Sequence, residues 1–185
     1  MLGRTAFAAF AILASLAPAT AAVEGLAQSC PNQGICTWFR PVLPSVQGWA
    51  EDKAAGSANK LFILVPKGAT FANASARIYG RAFLNEEGQS VDDRVRVSRE
   101  RWMAASPGAT AERVADVSRS NGGGAFQVYR YRNPNRPQQP AEYTAFGEDR
   151  DEQGRRYGIL IVLTATSEGS LKAHERAFQD VLRRY

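Results

Sequence analysis

The sequence predicts an α+β fold: an antiparallel β-sheet flanked by helices, an α-β-α sandwich, preceded by a signal peptide. Three observations carry this expectation. Strand and helix patterns alternate as strands, helix, strands, helix, with short connections that favour antiparallel pairing. Two segments, 61–65 (LFILV) and 159–163 (ILIVL), are apolar on both faces, so the sheet needs cover on both sides. Residues 1–22 combine Arg4, an uncharged apolar run over 6–16 and the small-residue site Ala19-Thr20-Ala21, the three parts of a secretory signal.

Residues 23–36 read as an irregular N-terminal segment, and 37–185 as a single α+β domain. Thr37 to Arg40 is a short strand, stopped by Pro41 and Pro44. The stretch 47–55 reads as weakly helical. Strands follow at 60–65 and 76–84, separated by the turn residues Pro66-Lys67-Gly68. Ser90 opens a helix: with Asp93 three residues on it resembles a capping box, and Asp92 and Asp93 suit the positive end of the dipole. Val91, Val95 and Trp102 share one face at helical spacing, and Pro107-Gly108 ends the segment. Strands are expected at 112–119, 125–132 and 141–147, with Asn121-Gly122-Gly123-Gly124 turning between the first pair. The last strand is 157–166. A final helix over 167–184 carries the apolar stripe Leu171, Phe178, Val181 and Leu182.

Cys30 and Cys36 are the only cysteines. An even count in an exported chain implies a disulfide, worth ~2 kcal/mol for so small a loop on the chain-entropy model. The Ala-rich signal and Arg-rich chain point to bacterial export, hence to a periplasmic or secreted location. No later run is long and apolar enough to predict a membrane span. The net charge of +5 is spread along the chain and not blocked, so it marks a soluble surface as readily as an anion-binding one.

Residues 61–71 (LFILVPKGATF), 74–79 (ASARIY) and 160–185 (LIVLTATSEGSLKAHERAFQDVLRRY) resemble the PsbP-like fold family. The resemblance lies in a strand ending in a small/Thr segment before a last helix with a Phe anchor. It implies the α-β-α sandwich. It also implies a role in binding proteins, because members include accessory proteins of the photosynthetic oxygen-evolving complex and a nuclear Ran-GTPase-binding protein. No functional motif of either branch matches, so the resemblance transfers no site residue, and fold alone does not fix function.

Several constellations could carry chemistry. His174, the only histidine, lies on the apolar stripe of the last helix and is either a packing residue or the base of a hydrolase. No G-x-S-x-G elbow accompanies it. One histidine and two paired cysteines do not make a zinc site. Residues 149–154 (DRDEQG) open like a calcium loop, but Leu160 stands where the closing acid belongs, and a hairpin turn explains the same residues. Asn121-Gly122-Gly123-Gly124 lacks the Lys-Ser/Thr ending of a phosphate loop. Tyr129, Arg130, Tyr131, Arg132 and Arg136 form the best binding candidate, since guanidinium groups pair with anions and rings stack on bases or sugars. The alternative is a strand whose tyrosines lie under a helix while its arginines reach to water.

The functional expectation is an exported, non-catalytic binding or accessory protein acting through contacts with another envelope protein, without a cofactor. The alternatives are a binder of an anionic polymer or lipid through the Tyr129 to Arg136 surface, and a hydrolase using His174. Sequence-specific nucleic-acid binding is not expected.

Overall fold

The computed structural model describes residues 23–30, 34–136 and 141–185. The expected signal peptide and part of the Pro-rich stretch before Ala141 lie outside the described residues. Twelve elements follow in order: β1 (Val23–Cys30), β2 (Gly34–Pro41), β3 (Trp49–Glu51), α1 (Lys53–Asn59), β4 (Phe62–Pro66), β5 (Ala76–Leu84), α2 (Val91–Ala105), β6 (Thr110–Ser118), β7 (Ala125–Arg132), β8 (Glu142–Arg150), β9 (Arg156–Ala165) and α3 (Glu168–Arg184).

The nine strands form one sheet in the order β1-β2-β5-β9-β8-β7-β6, with β4 pairing β5 and β3 pairing β4. Every pairing is antiparallel. This corrects the expected α-β-α sandwich: the molecule is chiefly one large antiparallel sheet, and the three helices do not build flanking layers. The segment expected to be irregular is part of a hairpin, β1–β2, which extends the sheet at one edge. The stretch expected to be weakly helical splits into β3 and the seven-residue α1. At the far edge, residues 112–116 of β6 are exposed on both faces. A bulge between Arg113 and Ala115 breaks the register there, a device that discourages edge-to-edge association.

Side chains alternate along the strands, so each face has its own core. On one face Tyr157, Ile159, Ile161 and Leu163 of β9 meet Leu171, Phe178, Val181 and Leu182 of α3, all buried. Each such burial contributes roughly 1.5–3 kcal/mol. The helix is capped by Ser167, whose side chain accepts from the Ser170 N–H at 3.1 Å, and its last turn carries Arg183 and Arg184 against the dipole. The opposite face is covered in two patches. Val95, Tyr129, Tyr131 and Phe146 cluster under α2, while Ile63, Val65 and Ala74 cluster beside α1. Tyr79, Val162 and Leu160 lie between those patches.

The two sulfurs of Cys30 and Cys36 form a disulfide across the β1–β2 hairpin, with Cα atoms 5.7 Å apart. Such a bond is compatible with an oxidising environment. Among the described residues no helix is long and apolar enough to cross a membrane.

Candidate functional site

The helix α2 begins as its sequence requires. Ser90 caps it, accepting from the Asp93 N–H at 3.1 Å while its hydroxyl donates to the Asp93 carboxylate at 2.7 Å. Unlike α3, it buries only Arg94 and Val95. It is pinned to the sheet near its two ends. At the N-terminal end Arg94 donates to the Gly147 carbonyl and the Glu148 carboxylate, both at 3.1 Å, and Gln127 donates to Asp92 at 2.7 Å. Burial pushes Glu148 up, yet hydrogen bonds from Arg156 and Arg94 outweigh it and hold the carboxyl below its usual range. At the C-terminal end the Trp102 ring meets Tyr131 edge-on at 5.4 Å, and the Tyr131 hydroxyl donates to Ser98 at 3.3 Å.

Alongside these pins a groove of about 860 Å³ opens between α2 and the sheet. That is within the size of small-molecule sites. Its floor is Tyr79, Arg81 and Phe83 of β5, Leu160 and Val162 of β9, and Glu142, Thr144 and Phe146 of β8. The α2 wall supplies Val97, Ser98, Arg101, Trp102 and Ala105. Strand register explains the convergence. Tyr79 pairs with Val162, which pairs with Thr144; one row along, Arg81 pairs with Leu160, which pairs with Phe146. Gly158 keeps the far end low: a Cβ there would lie 2.3 Å from the Phe83 ring and 3.0 Å from Arg94 Nε.

One end of the groove is polar. The Glu142 carboxyl accepts from the Thr144 hydroxyl at 3.3 Å, and no ion pair reaches it among the described residues. Burial pushes its pKa above the ordinary carboxyl value, against the lowering hydrogen bond from Thr144. Tyr79 is driven far above an ordinary phenol, first by burial and then by the charge of Glu142. Tyr131 is raised as well, by burial first, with Ser98 and Arg99 pulling down and Glu142 pushing up.

The sequence-selected residues lie elsewhere or are engaged. Tyr129 and Tyr131 are buried beneath α2. Arg130 faces the other way and pairs with Glu168 at 2.7 Å, Arg132 approaches Glu112 at 3.7 Å, and Arg136 is exposed on the following turn. Only Tyr131 of that set lines the groove. His174 packs edge-on against Trp49, with ring centroids 5.2 Å apart. The Asp149 to Gly154 stretch turns between β8 and β9. Asp151 spends its oxygens on the Gln153 and Arg155 N–H groups, the Arg155 guanidinium and the Tyr157 hydroxyl. The Asn121 loop is likewise engaged: Asn121 accepts from the Gly123 N–H and donates to the Tyr185 carbonyl, and the Ser120 N–H donates to the Arg183 carbonyl.

Glu142 and Tyr79 were not singled out by the sequence, and Trp102 was read only as part of the apolar face of α2. The one available signal was strand parity, since Glu142, Thr144 and Phe146 alternate onto one face of β8, but nothing local shows that α2 leaves that face open. No protein-family model matches the chain, and no curated protein matches it.

Proposed function

We propose that this chain is an exported, non-catalytic binding protein and that its binding site is the groove beside α2. The observation that carries the reading is the groove itself: a concavity of about 860 Å³ with an aromatic and aliphatic floor and a few convergent polar groups at one end. Export is supported by the signal-like residues 1–22 and the Cys30–Cys36 disulfide. A flat protein-docking patch is supported less well. The exposed large apolar side chains Ile35, Phe83, Met103 and Val114 sit on four different elements and do not make one surface.

The test is a titration of the chain lacking residues 1–22 with the neutral dye Nile red. The expected result is a saturable blue-shifted emission at one dye per chain. Ser98→Trp and Ala105→Trp, which fill the groove from α2, should each weaken it at least tenfold while the melting transition persists. Undiminished dye binding in both folded variants places the apolar site elsewhere and overturns the reading.

A further inference from the structure

We infer that the groove takes an organic primary ammonium with an apolar body, its nitrogen held between Glu142, Tyr79 and Thr144. This rests on the reading of the groove as a ligand site and adds the chemical class of the ligand.

Glu142 is a half-buried carboxyl at the floor of a largely apolar groove, and its one side-chain hydrogen bond comes from a neutral hydroxyl. A buried carboxylate ordinarily has a cationic partner. Here no basic side chain supplies one among the described residues. Arg94 is committed to Glu148. Arg81 and Arg101 line the groove but are exposed, and neither is among the groups that act on Glu142. Tyr79 lines the same groove, and its hydroxyl makes no hydrogen bond to any described residue.

The geometry of acceptors then selects the donor. The Glu142 carboxylate and the hydroxyls of Tyr79 and Thr144 offer three oxygen acceptors around one end of the cavity. A primary ammonium carries three N–H donors and no acceptor. Trp102 and Tyr131 border that end, Tyr131 standing directly across from Glu142, and aromatic faces attract a partly desolvated cation. One row further along, Leu160, Phe146 and Phe83 provide an apolar track for the rest of the molecule. Charge complementarity therefore names the occupant: an amine head at the Glu142 end and a hydrocarbon or aromatic body along β9.

The experiment compares four probes of one chain length at neutral pH by displacement of Nile red: n-octylamine, n-octanol, octanoate and octyltrimethylammonium. The proposal expects octylamine to bind at least tenfold tighter than octanol, with octanoate weakest. Glu142→Gln, an isosteric change, should abolish the preference for octylamine over octanol. Tyr79→Phe should weaken octylamine severalfold more than it weakens octanol. Octylamine binding no better than octanol, or a preference for octylamine that survives Glu142→Gln, overturns the proposal and leaves the groove reading intact. Octyltrimethylammonium binding as tightly as octylamine overturns the three-donor head. If none of the probes displaces the dye, the groove reading falls instead.

Discussion

At the scale of single residues, the chain departs most from ordinary core economy at Glu142. An acid whose folded pKa is raised holds its proton to higher pH in the native state than in the unfolded chain. Its contribution to stability is therefore complete below the unfolded carboxyl's pKa and is lost as pH rises through the folded value. Glu142→Gln keeps the Thr144 contact and removes the charge. The variant should melt a few degrees higher than the wild type at pH 7–8, a gain that disappears toward pH 4, as read from paired melting curves across that range. Equal melting temperatures at pH 8 would show that Glu142 is not under strain. A residue that lowers stability in the empty protein and raises affinity for a ligand fits the usual trade between stability and function. Arg130 and Arg132 teach the opposite lesson. They were conspicuous in the sequence as a basic, tyrosine-rich strand, yet Glu168 and Glu112 answer them from other elements. A local pattern shows which side chains share a face but not which acids the fold brings opposite them.

At the scale of elements, α2 is the part that makes a site. Its start, cap and apolar face were legible because capping chemistry and 3.6-residue spacing are local. The same holds for β4, β5, β7 and β9, whose apolar runs or alternation are strong. The standing-off of α2 was not legible, because it depends on Arg94 reaching Gly147 and Glu148 and on Trp102 meeting Tyr131, contacts between residues 29 to 54 apart in sequence. Arg94→Met should remove the N-terminal pin and cost roughly 1–3 kcal/mol, since it leaves the Gly147 carbonyl and half of the Glu148 pairing unmet. Faster amide exchange across α2 than across α3 would accompany it. A fall in stability with unchanged exchange in α2 would mean that Arg94 does not hold the helix. Gly158→Ala should act on the same end by a different route, displacing Phe83 and Arg94 because the added Cβ has no room. Its expected signature is a cost of about 1–3 kcal/mol by chemical denaturation, with weaker dye binding.

At the scale of the whole molecule, a nine-stranded antiparallel sheet carries the architecture, and helices cover it unevenly. The α-β-α sandwich was inferred from two doubly apolar strands, which do lie at the covered centre. The β6 edge was expected as a strand, but of the β1–β2 edge only 37–40 was, because β1 and β2 lack an apolar alternation: VEGLAQSC and GICTWFRP mix both kinds of residue on both faces. Their hairpin is held by pairing and by the Cys30–Cys36 bond. Reduction should therefore destabilise it locally, with exchange rising in 23–41 while α3 and β9 stay protected. Entry of a ligand beside α2 is tested by amide chemical-shift mapping of the ¹⁵N-labelled protein titrated with n-octylamine. Saturating shifts are expected only in α2, β5, β9 and the Glu142 end of β8. Shifts centred instead on the Arg130 face, on the disulfide hairpin or around His174 would contradict it.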